Sequence, residues 1–126
     1  MLRGLHYHRQ QADLWVPIDG EGTVGLVDLR PDVPTTRDHL QLDVEPGVAL
    51  YLPPGVAHGF CARTDFTLLY LVDRAYDGAD EFGFSPLDPA AGIDWPVADP
   101  ILSDRDRDAP ALEDALATGP IGPSMG

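Results

Sequence analysis

The feature that most limits the fold is the way glycine and proline break the first part of the chain into short apolar runs. Leu2–His8, Ala12–Ile18, Thr23–Leu29, His39–Val44, Val48–Leu52, Val56–Ala62 and Asp65–Val72 each read as an extended strand. Asp19-Gly20-Glu21-Gly22 offers residues that tolerate positive φ, and it reads as the turn of a hairpin joining the second and third runs. Proline cannot donate to a ladder, so Arg30-Pro31-Asp32-Val33-Pro34 ends a strand. His39–Val44 alternates, which predicts His39 and Gln41 facing outward and Leu40 and Leu42 facing inward. Short strands separated by such turns predict an all-β antiparallel sandwich or barrel.

From Tyr76 onward the pattern dissolves into loops anchored by Phe82, Phe84, Ile93 and Trp95, with a short helix over 110–117 that Gly119 would stop. A chain of 126 residues suits one domain. The expected layout is barrel strands over 1–74, loops and the short helix over 75–118, and a disordered tail over 119–126.

Charge narrows the partners. Twenty-one acidic against eight basic residues give a net charge of -13, a field that opposes nucleic acid and anionic lipid. No apolar run approaches the ~20 residues of a membrane helix, and no basic-then-apolar leader is visible at the N-terminus. Cys61 is the only cysteine, so no intrachain disulfide can form. The expected location is the cytoplasm. Cys61 has no neighbour in sequence that would activate it, and it reads as structural.

The histidines carry the chemistry. His6 and His8 are two residues apart, so a strand presents both imidazoles on one side. Asp13 follows shortly, and His58 stands just after the Pro53-Pro54-Gly55 turn. Taken alone, His6, His8, Asp13 and His58 make a three-nitrogen, one-oxygen set suited to a transition metal such as Zn, Fe, Ni or Mn. The plainer alternative, histidines that merely pack, stays open at this point. Trp15 and Trp95 read as core or pocket walls, and His39 as solvent-facing.

Six blocks carry a resemblance over nearly the whole chain. Leu2-Arg3-Gly4-Leu5-His6-Tyr7, Val27-Asp28-Leu29-Arg30, Pro53 through Ala57-His58-Gly59-Phe60, Leu69-Tyr70, Gly92-Ile93-Asp94-Trp95-Pro96 and Leu102-Ser103-Asp104-Arg105-Asp106 occur in this order. Together they resemble the dTDP-4-dehydrorhamnose 3,5-epimerase family. The resemblance implies a cupin jelly-roll fold, a homodimer, no cofactor, and a nucleotide-sugar substrate. It further implies His6 as the base beside a 4-keto group, Asp106 as its partner carboxylate, and His58 as stabiliser of the enolate oxygen. Arg3, Tyr70, Tyr76 and Trp15 are implied as substrate-binding residues. The expected reaction is 3,5- or single-carbon epimerisation of a dTDP-4-keto-6-deoxyhexose.

The chain departs from the family's pattern at three positions. His8 stands where the family has glutamine, Asp13 where it has lysine, and Ala75 where it has the acid tyrosine, with Tyr76 next in line. The family's usual N-terminal segment is expected to be missing. These departures support two rival expectations. One is a metal-dependent cupin enzyme using His6, His8, Asp13 and His58 on a small keto or phenolic substrate; the other is a degenerate homologue without catalysis.

Overall fold

A computed structural model of the chain describes residues 1–117. The expected stop at Gly119 and the tail over 119–126 lie outside the described residues. Eight strands are present: β1 (Leu2–Tyr7), β2 (Asp13–Asp19), β3 (Gly22–Asp28), β4 (His39–Val44), β5 (Leu50–Leu52), β6 (Val56–Ala62), β7 (Thr67–Val72) and β8 (Phe82–Gly83). Two short helices follow, α1 (Asp104–Arg107) and α2 (Leu112–Ala117). The strands form two antiparallel sheets, one ordered β4-β3-β6-β1-β8 and the other β5-β2-β7.

The expected hairpin between the second and third runs does not form. β2 pairs with β5 and β7, whereas β3 pairs with β4 and β6, so the 19–22 turn crosses from one sheet to the other. The reason is a second corner packed against it. The amides of Arg63 and Thr64 donate to the Glu21 carbonyl, and the Glu21 amide donates to Thr64 Oγ1. Gly20 has φ +80, and a Cβ there would fall 1.7 Å from the Asp65 carbonyl oxygen, so only glycine fits. Turn chemistry reveals that the chain reverses; which sheet receives it is decided by tertiary contacts.

The central strands of the five-stranded sheet, β3, β6 and β1, are buried on both faces. Trp15, Val24, Val44 and Leu52 pack between the sheets with Phe60, Phe66 and Leu68. On the other face Leu2, Leu5, Val27, Ala57 and Cys61 meet Phe84, Trp95, Leu112 and Ala115 from the C-terminal region. The stretch read as loops therefore forms a wall of the core and adds β8, which pairs with β1 at His6 and Tyr7. Burying each of these large side chains contributes roughly 1.5–3 kcal/mol. On β4, His39 faces out as expected, but Leu40 is also exposed, at 55%. β7 is an edge strand, and Leu69, Tyr70, Leu71 and Val72 along it are exposed.

Candidate active site

β1 and β6 build the site, because their pairing sets His6 directly opposite His58. The register slips between Arg3 and His6, where the two backbones nearly touch. A Cβ on Gly59 would lie 2.5 Å from the Arg3 carbonyl oxygen, and one on Gly4 would lie 2.6 Å from Gly59 Cα. Glycine at both positions lets the strands close to this distance.

Asp106 reaches His6 from the far end of the chain. Ser103 caps α1, its Oγ accepting from the Asp106 amide at 3.1 Å. An acid three residues after a serine cap ordinarily turns back to the cap's own amide. Here Oδ1 of Asp106 instead lies 2.7 Å from His6 Nε2, and Oδ2 accepts from the Gly4 amide at 3.2 Å. The carboxylate is buried, at 3% exposure, while His6 is half-buried. Since the carboxylate accepts, Nε2 carries the proton and Nδ1 is left as the basic nitrogen of the neutral ring.

His58 is held differently. Its Nδ1 donates to the Val56 carbonyl at 3.0 Å, so the neutral ring keeps a lone pair on Nε2. Asp13 Oδ2 lies 3.8 Å from that nitrogen, and both side chains are buried. Burial pushes the His58 pKa down to about 4; the Val56 bond and the Asp13 charge work against that shift, and His8 and His6 add to it. At neutral pH His58 is therefore uncharged.

His8 follows directly after β1, and its Nδ1 donates to the Asp80 carbonyl at 2.6 Å. Gln11 Nε2 donates to Asp13 Oδ1 at 2.8 Å and approaches His8 Nε2 at 3.4 Å. The Asp80 carboxylate accepts from the amides of Arg9, Gln10 and Gln11, which fixes the turn carrying these side chains. Gln11, Asp80 and Ser103 were not anticipated from the sequence. The serine-to-acid spacing at Ser103 was an available signal; nothing local marked the other two.

The proposed metal quartet is only partly assembled. Ligand atoms of His8, Asp13 and His58 lie within 4.8 Å of one another, and His6 is not in the group. Its Nε2 is committed to Asp106. His6, His8, Asp13 and His58 nonetheless share one cavity of about 940 Å³ with Arg3, Trp15, Tyr70 and Tyr76. Trp15 stands edge-on to His58 with ring centroids 5.0 Å apart, and its buried Nε1 has no partner among the described residues. Tyr70 and Tyr76 sit exposed at the rim. Glu81 and Arg105 also line the cavity and pair at 2.7 Å. Cys61 is buried on the opposite face, where burial pushes its thiol pKa up and disfavours a nucleophilic thiolate.

A family model described as dTDP-4-dehydrorhamnose 3,5-epimerase matches residues 1–114. A dTDP-4-dehydrorhamnose 3-epimerase from Streptomyces niveus is 41% identical over 125 residues, covering 94% of this chain and 60% of that protein. Among solved structures, NovW, a 4-keto-6-deoxy sugar epimerase from Streptomyces spheroides, superposes with a TM-score of 0.90 at 38% identity, covering 98% of this chain and 65% of that one. ChmJ, a 3'-monoepimerase from Streptomyces bikiniensis solved with dTDP-quinovose, gives 0.87 at 36% identity, covering 97% and 65%. The chain thus spans less than two thirds of the length of these relatives. Its antiparallel sheets and two short helices have the cupin-type architecture expected of that group. Matched along nearly all of its length in both sequence and structure, the chain belongs to the dTDP-4-dehydrorhamnose 3,5-epimerase family.

Proposed function

We propose that the chain is an isomerase that inverts one or both carbons flanking the ketone of a dTDP-4-keto-6-deoxyhexose. The observation that carries this reading is the 2.7 Å His6–Asp106 contact, opposite His58 and at the edge of a cavity large enough for a sugar nucleotide. A carbon acid beside a ketone needs a base of near-neutral pKa, and imidazole supplies one. His6 takes the proton on Nδ1, and the electrons move into the ketone to give an enolate. Asp106 fixes the ring's tautomer and stabilises the imidazolium. A proton returned to the opposite face, from Tyr76 or from water, completes the inversion.

His58 is the group proposed to meet the enolate oxygen. With Nδ1 bound to a carbonyl, its Nε2 donates only when the ring takes a second proton. Negative charge growing on the oxygen favours that form, as Asp13 does. Arg3, Tyr70, Tyr76 and Trp15 are read as the walls that bind the sugar nucleotide, and nothing in this scheme calls on a cofactor. The relatives' names support the substrate class, and they favour this reading over the metal-dependent alternative.

We read the sheet pair as a jelly roll and the assembly as a homodimer in the cytoplasm. The exposed apolar edge at β7 supports the dimer, and a monomer in sedimentation would contradict it. No described helix is long and apolar enough to cross a membrane. The decisive experiment incubates the chain with a dTDP-4-keto-6-deoxyglucose in deuterated water. Deuterium at carbon 3, carbon 5 or both is expected. Its absence at both overturns the reading and leaves the non-catalytic homologue in its place.

A further inference from the structure

We propose that His8, Asp13 and His58 form a site for one divalent transition-metal ion in the wall of the cavity. Three observations converge. First, both rings present Nε2 as a lone pair, because His8 Nδ1 donates to the Asp80 carbonyl and His58 Nδ1 to the Val56 carbonyl. A backbone carbonyl can only accept, so the tautomer follows from the partner. Imidazole ligands are commonly held in this way, with the second nitrogen bonded outward so that the first faces the metal.

Second, one ring nitrogen from each of His8 and His58 and a carboxylate oxygen of Asp13 lie within 4.8 Å of one another. Metal bonds to nitrogen and oxygen run about 2.0–2.2 Å, which brings any two ligand atoms to within about 4.4 Å. The remaining approach is small, and His8 is the half-buried member of the three. Third, Asp13 is a buried carboxylate that lacks a cation. The chain contains no lysine. Among the described residues no arginine lies within ion-pair distance of Asp13; Gln11 meets Oδ1, and Oδ2 faces His58 Nε2 at 3.8 Å. An acceptor facing an acceptor in a buried place is unfavourable until a cation stands between them.

Two imidazoles and one carboxylate suit a borderline ion such as Zn²⁺, Co²⁺ or Ni²⁺. Three protein ligands leave coordination positions for water or for an oxygen of a bound molecule. The site shares His58 with the proposed enolate contact, and a metal on its Nε2 would take the place of the proton that contact needs. The site includes neither His6 nor Asp106, so metal titration reads ligation at His8, Asp13 and His58, while deuterium exchange reads proton removal by His6. The failure of one is thereby told from the failure of the other.

The test is a titration of chelator-stripped protein with Zn²⁺ by calorimetry and with Co²⁺ by visible absorption. One equivalent is expected, with ligand-field bands of a nitrogen–oxygen shell. ¹⁵N spectra should show Nε2 of His8 and His58 shifting on Zn²⁺ addition, with His6 and His39 unmoved. His8→Ala and Asp13→Asn should each weaken binding by more than the about 10–100-fold that losing a supporting hydrogen bond costs, and His39→Ala should not. No stoichiometric binding, wild-type affinity in Asp13→Asn, or unmoved His8 and His58 resonances would each overturn the proposal. The resonance test needs no variant, so a substitution that prevents folding does not weaken it.

Discussion

Two histidine–carboxylate pairs border one cavity, and they are built from the same residue types to different ends. His6 and Asp106 touch at 2.7 Å, and the acid is anchored by the Gly4 amide and by a capped helical turn. His58 and Asp13 stand 3.8 Å apart without a hydrogen bond, and His58 spends its N–H on the Val56 carbonyl. In the first pair a proton gained on Nδ1 leaves a hydrogen-bonded imidazolium–carboxylate pair. In the second, burial keeps the ring neutral and leaves its lone pair facing an acid. The second hydrogen bond of each imidazole decides which kind of site the pair becomes.

The sharpest way to break this contrast is to remove one base at a time. His6→Ala should lower deuterium wash-in at the sugar carbons by about 10²–10⁴-fold, and Asp106→Asn should also impair it by upsetting the tautomer. Asp13→Asn should cost clearly less. Equal losses from both pairs would erase the distinction.

Next in size is a pH effect on the second pair. His58 has a folded pKa of about 4, below its unfolded value, so the unfolded chain takes up the proton first. The stability held by the neutral ring is full above the unfolded pKa and is lost as pH falls toward 4, by about 3 kcal/mol. Denaturant unfolding across that range should fall less steeply in His58→Gln than in the native chain; identical slopes would refute it.

A third change strikes both pairs together. Gly59→Ala forces a methyl against the Arg3 carbonyl and should destabilise by about 1–3 kcal/mol, read as a lowered melting temperature. The smallest expected effect lies outside the pairs. Arg107→Ala removes exposed contacts with Asp104 and with the Leu102 carbonyl and should change stability by less than about 0.5 kcal/mol.

Most strands were legible because apolar runs between turn residues are a local signal. Their pairing was not, as Asp19–Gly22 shows: a turn sequence is the same whether the chain stays in its sheet or crosses to the other. β8 and α1 are too short to impose a period. At the site, His6, His8, Asp13 and His58 stood out by residue type, although grouping all four ignored the competing claim of Asp106 on His6. Asp106 could be singled out from Asp104 and Asp108 only through family resemblance, since a run of alternating acids and arginines does not reveal which acid turns inward. Asp80 was invisible because its work, holding three amides of residues 9–11, is set by a loop that folds back from far along the chain.

The placement of the two tryptophans gives the molecule a built-in optical gauge. Trp15 stands edge-on to His58, whereas Trp95 is sealed in the far half of the core with its indole N–H on the Pro86 carbonyl. A protonated imidazole accepts an electron from an excited indole far more readily than a neutral one does. Emission from Trp15 should therefore dim as His58 acquires positive charge, against a steady background from Trp95, so protonation of His58 can be followed without a label.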